Sequence, residues 1–73
     1  VADQEIADKV GQNIRYWRKK AGMTQRQLAA EVNMLNRQIS YIETGRGCTT
    51  MFRLVKIARA LNVTVSALAV GVD

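Results

Sequence analysis

The sequence predicts an all-α fold of five short helices in one domain spanning residues 1–73, and three observations carry the prediction. Apolar residues recur at spacings of three and four rather than two, so nothing alternates for long enough to make a strand. Helix-starting Thr residues and helix-stopping Gly or Asn residues punctuate that pattern, with no Pro, repeat or low-complexity linker between them. The stretch from Thr24 to Gly45, TQRQLAAEVNMLNRQISYIETG, then joins two such helices through a tight turn. A chain of 73 residues buries only one small core, so its stability margin is thin.

The first helix is expected over about Glu5 to Ala21, with Asp3 as its cap and Ile6, Val10, Ile14 and Trp17 on one apolar stripe. Trp17 falls in the core and Tyr16 points outward; Gly22 ends the helix. In the second helix the Thr24 hydroxyl caps the start and Gln27, three residues on, reaches back to complete a capping box. Leu28, Ala29 and Val32 share its apolar face, and Asn33 suits the left-handed conformation that a sharp turn needs. In the third helix, residues 35–44, Leu35, Ile39 and Ile42 recur at i, i+4 and i+7 and mark the buried side. After the loop Arg46-Gly47-Cys48-Thr49-Thr50, either Thr49 or Thr50 opens the fourth helix, where Met51, Leu54, Val55, Ala58 and Leu61 face inward and Asn62 closes it. Thr64 caps a last helix carrying Val65, Leu68 and Ala69.

At about 100° per residue, the third helix turns Arg37, Ser40, Tyr41 and Thr44 away from its apolar stripe, with Asn36 at the helix start and Gln38 and Glu43 on the flanks. In a major groove Arg pairs with guanine, Asn with adenine, and a hydroxyl donates or accepts. Asn36, Arg37 and Tyr41 are therefore the first candidates for base contacts, and Gln38 and Ser40 the next.

Charge agrees with that chemistry. Eleven Lys and Arg face six Asp and Glu, giving +5 overall. Residues 1–8 form an acidic extension with Asp3, Glu5 and Asp8, whereas Lys9 to Arg59 sets all eleven basic residues against Glu31 and Glu43 alone, a net +9. A surface of this kind binds phosphate. Gln25 and Arg26 lie in the first turn of the second helix, where free backbone N–H groups suit a phosphate oxygen. Thr44, Arg46 and Arg53 are further phosphate candidates, with Lys19 and Lys20 weaker ones.

Other classes find no support. The chain has no His, no Cys pair, no glycine-rich phosphate loop and no carboxylate cluster, so neither a metal site nor a nucleophile with its base can be assembled, and no cofactor is expected. No apolar run approaches the roughly 20 residues of a membrane span, and no signal-peptide pattern opens the sequence. The single Cys48 permits no internal disulfide, which fits a reducing cytoplasm. Its plain reading is a loop residue, and its alternative a redox sensor beside the third helix.

Thr24 to Gly45 resembles the helix-turn-helix of the phage Cro and lambda-repressor family, the xenobiotic-response-element-type bacterial regulators. IRYWRKKAGMTQ resembles that family's first helix and its Arg-rich end, and LVKIARALNVTVSAL its fourth and fifth helices, so the likeness covers Val10 to Leu68. Asn33 stands where Gly is common, and Leu35 where Ser or Thr usually caps the reading helix. Asn36 is the next candidate for that cap, which would shift the helix start by one residue. The loop after the third helix lacks the usual Pro. The resemblance implies a compact five-helix lambda-repressor-like domain with the helix-turn-helix at helices two and three. It places Gln25 at a phosphate-contacting position and pairs Arg18 with Glu43 as a structural interhelical salt bridge.

The function implied is a sequence-specific double-stranded-DNA-binding transcriptional regulator, a repressor or autoregulating controller, bacterial or phage-encoded, working in the cytoplasm and on the nucleoid. It would bind as a homodimer to a palindromic operator, with half-site centres about 34 Å apart. Leu68, Val70 and Val72 either join the core or form the two-fold contact. The alternative is a protein-interaction module of the same fold, such as a toxin-neutralising antitoxin or a coactivator-like bridging domain.

Overall fold

The computed structural model describes residues 3–47 and 49–72; Cys48 lies outside the described residues. Five helices follow in chain order: α1 Asp3–Lys20, α2 Gln25–Glu31, α3 Asn36–Glu43, α4 Met51–Leu61 and α5 Val65–Leu68. None is long and apolar enough to cross a membrane.

Local chemistry sets most of the boundaries. Thr24 Oγ1 accepts from the Gln27 N–H at 3.1 Å while Gln27 Oε1 accepts from the Thr24 N–H at 2.8 Å, a complete capping box. Thr50 and Thr64 cap α4 and α5 in the same way, each accepting from the N–H three residues on. Thr50 rather than Thr49 therefore opens α4. Asp3 falls inside α1 instead of capping it, and with Glu5 it supplies first-turn acids at the positive end of the helix dipole.

The stops of the first four helices share one device. Gly22, Asn33, Gly45 and Asn62 all adopt positive φ, between 57° and 75°. The following N–H in each case closes a six-residue loop back onto the helix: Met23 to Arg18, Met34 to Ala29, Arg46 to Tyr41 and Val63 to Ala58, at 2.9–3.1 Å. Asn serves at two of these positions because its short amide tolerates the left-handed region.

Each helix sends one large side chain fully into the core: Ile14, Leu28, Ile39, Ile57 and Leu68. Val32, Ile42, Leu61, Ala29 and Ala58 fill the space between them. Two expectations about burial need correction. Leu35, expected on the buried stripe of α3, is 55% exposed. It precedes the helix in extended backbone, so helical spacing no longer sets where its side chain points. Met51, expected inward, is exposed because it is the first residue of α4 and stands at the edge of the apolar arc, whose buried members are Ile57, Ala58 and Leu61. Of the two places left open for Leu68, the core is the one it takes, which removes it from any contact with a second copy.

What positions α3 is its crossing with α1. The buried residues of α1 are Gly11, Ile14 and Arg18, spaced three and four apart along one stripe. A Cβ on Gly11 would run into the Ile42 carbonyl oxygen and lie 2.8 Å from that of Glu43, so the absent side chain is what lets α1 rest directly on the last turn of α3. Two turns further along the stripe, Arg18 meets Glu43. Its Nε donates to Oε2 at 2.6 Å and its Nη2 to Oε1 at 3.1 Å, while Nη1 donates to the Met23 carbonyl at 2.8 Å. Gln25 Nε2 adds a third donor to Glu43 Oε1 at 3.2 Å. The pair is buried, with side-chain exposures of 9% and 1%, and its polar atoms are satisfied by α1, α2 and the turn between them. At the other end of the stripe Gln4 Nε2 donates to the Gly45 carbonyl at 2.9 Å.

Two outcomes follow from this crossing. Gly11→Ala should lower unfolding free energy by about 2 kcal/mol in urea titration, although Ala favours helix over Gly, because backbone carbonyls cannot move aside as a flexible side chain would. An unchanged or higher midpoint would contradict the close approach. Glu43→Ala should cost about 3–5 kcal/mol by leaving the Arg18 guanidinium buried without its partner, and Arg18→Met with Glu43→Leu together should cost clearly less than Glu43→Ala alone.

Candidate nucleic-acid interface

The turn between α2 and α3 is short because Asn33 takes φ 57° and the Met34 N–H bonds straight back to Ala29. The chain re-enters helix at Asn36, which is therefore the first residue of α3 and not its cap. Leu35 holds the cap position at φ −79°, ψ 147°, with no side-chain acceptor to offer. Half of a capping box survives, since Gln38 Oε1 accepts from the Leu35 N–H at 2.8 Å. That bond anchors the Gln38 carboxamide and leaves its Nε2 as the end that can donate elsewhere.

Burial divides α3 cleanly. Ile39, Ile42 and Glu43 are buried; Asn36, Arg37, Tyr41 and Thr44 are exposed; Gln38 and Ser40 are intermediate. Ser40 and Tyr41 lie three and four residues after Arg37, and Thr44 three and four after Tyr41 and Ser40, so the four share the outward stripe. The Thr44 hydroxyl donates to the Ser40 carbonyl at 2.9 Å, and a phosphate contact from it would require giving that bond up. Arg37 and Tyr41 project with no internal hydrogen bond among the described residues, and Tyr41 is half exposed.

The flanking candidates lie on either side of this stripe in sequence. Gln25 is the first residue of α2, half-buried, with its amide held by Glu43. The carboxylate that ties α3 to α1 thus also orients the side chain expected to meet phosphate. Arg26, next to it, is exposed; Arg46, just past α3, and Arg53, in the first turn of α4, are exposed as well. Lys19 and Lys20 lie on the outer side of α1, where Lys20 Nζ stands 5.9 Å from the centroid of the Tyr16 ring, itself edge-on to Trp17. Lys20 thus belongs to a solvated aromatic-cation patch, and both lysines are separate from the α3 stripe in sequence. Among the described residues no group of three His, Cys, Asp or Glu side chains could hold a metal ion.

Two features escaped the sequence pattern. Leu35 stands exposed at the leading end of the outward-facing helix, a position that periodicity assigned to the core. The Gln25–Glu43 bond joins residues 18 apart, and nothing in the spacing of either signals it. Gln38, expected only on the flank of the helix, also accepts from the Leu35 N–H.

The comparisons with known proteins agree with this arrangement. A helix-turn-helix family model matches residues 14–68. Among solved structures, the clp gene regulator ClgR from C. glutamicum is 25% identical, with a TM-score of 0.86 over 89% of this chain and 83% of that one. The restriction-modification controller protein C.AhdI from Aeromonas hydrophila is 26% identical, with a TM-score of 0.82 over 85% of this chain and 94% of that one. The master regulator for biofilm formation SinR, solved in complex with DNA, is 28% identical, with a TM-score of 0.77 over 81% and 95%. No curated protein matches the sequence significantly. With a capped α2, a tight left-handed turn and an α3 that turns a polar face outward, the chain belongs to the Cro and lambda-repressor-like helix-turn-helix family of DNA-binding transcriptional regulators.

Proposed function

We propose that this chain reads a specific double-stranded DNA sequence with α3 in the major groove, as one half of a homodimer on a palindromic operator, and acts as a repressor or autoregulating controller. The observation that carries the reading is the division of α3. Its C-terminal turn is clamped by Gly11 and the Arg18–Glu43 pair, while its outward stripe offers Asn36, Arg37, Ser40 and Tyr41 from a segment of net charge +9. Arg37 and Asn36 are the base readers, Tyr41, Gln38 and Ser40 assist, and Gln25, Arg26, Arg46 and Arg53 hold phosphates on either side. C.AhdI, a controller protein, and SinR, seen on DNA, support the regulator role by likeness. A dimer contact, with Leu68 buried, falls to Val70 and Val72 beyond α5, where Asn13 Nδ2 ties the tail down by donating to the Leu68 and Val70 carbonyls.

The second reading is a protein-interaction module, and one observation favours it: Met51 and Phe52, 65% and 72% exposed, form an apolar pair on the first turn of α4 that base reading does not need. Selection from a random duplex pool, with Arg37→Ala run beside the wild type, separates the two. Base reading predicts one enriched palindrome, with preference relaxed by about 1–3 kcal/mol in the variant. If no duplex is enriched, the interaction module takes its place. With about three phosphates neutralised per subunit, by Arg26, Arg46 and Arg53, affinity should fall with salt at a log-log slope of roughly −3 per half-site. A salt-insensitive complex would remove the phosphate contacts.

A further inference from the structure

Leu35 is the residue of the helix-turn-helix that folding explains least. At the cap position a Ser, Thr, Asn or Asp would satisfy a backbone N–H at the start of α3, and Leu cannot. Nor does burial account for it, since 55% of the residue remains exposed while its stripe partners Ile39 and Ile42 are buried. The backbone tolerates the exchange because Gln38 Oε1 takes the Leu35 N–H. The result is a branched apolar side chain held beside Asn36 and Arg37 at the leading end of α3. In helix-turn-helix docking, N-terminal residues of the second helix approach base edges. The one apolar group that the major groove presents is the 5-methyl of a pyrimidine.

The geometry points to Leu35 as a specificity-determining residue that recognises a pyrimidine 5-methyl group in each half-site. The inference rests on the DNA-reading function proposed above. Thymine carries such a group, and so does 5-methylcytosine; the contact is apolar and adds to the hydrogen bonds of Arg37 and Asn36 without replacing them.

The test uses the full chain and the duplex enriched by selection, with each thymine of the half-site replaced in turn by deoxyuridine, which removes only the methyl. At one position per half-site, uracil should weaken wild-type binding by about fourfold, the equivalent of one buried methyl. Leu35→Ala should bind the thymine and uracil duplexes equally. Leu35→Ser should do the same while unfolding at a higher urea concentration than the wild type, because it restores the missing cap. That combination of a gain in stability with a loss of methyl discrimination has no purely structural explanation. A parallel selection from a pool built with 5-methylcytosine distinguishes the sources: thymine retained at the position means that its carbonyl is read as well, and methylcytosine accepted there means that the methyl suffices. Wild-type binding that tolerates uracil at every position of an enriched duplex overturns the role of Leu35 and leaves DNA reading by α3 intact. Failure to enrich any duplex overturns DNA reading itself, and the role of Leu35 with it.

Discussion

The structure depends on the contact between Gly11 of α1 and the last turn of α3. At eight residues, α3 is too short to hold its own shape or direction in water, so its orientation must come from tertiary packing. Gly11 allows two helix backbones to approach within the space that a methyl group would fill, and the same stripe of α1 then delivers Ile14 to the core and Arg18 to Glu43. The grip falls at the C-terminal end of α3. Its N-terminal half is left projecting, with only Ile39 rooted in the core.

The buried Arg18–Glu43 pair is best understood as a device for geometry. Two desolvated charges gain little net stability over well-packed apolar side chains, yet a bidentate guanidinium–carboxylate contact admits few alternative arrangements. Here the carboxylate also receives Gln25, and the guanidinium also holds the Met23 carbonyl, so one cluster sets α1, the turn into α2, the start of α2 and the end of α3 relative to one another. The start of α2 and the end of α3 are thereby referenced to a single point. Charge is distributed to match: the acids Asp3, Glu5 and Asp8 sit at the start of α1, and the basic residues run from Lys9 onward.

Much of this was legible in the sequence wherever the cause was local. The Thr24–Gln27 capping box, the left-handed Asn33 and Asn62, and the helical spacing of Ile14, Leu28, Ile39 and Leu61 are properties of a few neighbouring residues. The Arg18–Glu43 pairing came only through resemblance, because no spacing rule connects residues 25 apart. Gly11 carried no signal, since a glycine inside a helix reveals its purpose only when another backbone crosses it. Leu35 misled for a different reason: periodicity continues past a helix end on paper, whereas the backbone there has already left helical φ and ψ. Met51 and Ile57 flank the apolar arc of α4 from opposite sides, and the pattern alone does not say which edge the core covers. The outward stripe of α3 followed from burial of the opposite one, so the candidate interface was readable to the extent that the core was.

The most direct measurement is a residue-resolved titration of the 15N-labelled chain with its selected duplex. Amide shifts should concentrate at Thr24 to Gln27, Leu35 to Tyr41, Arg46 and Arg53, leaving α5 and the first two turns of α1 unmoved. Shifts centred on Met51 and Phe52 or on α5, with Asn36 and Arg37 unaffected, would contradict the account by showing that α3 is not the surface that meets DNA.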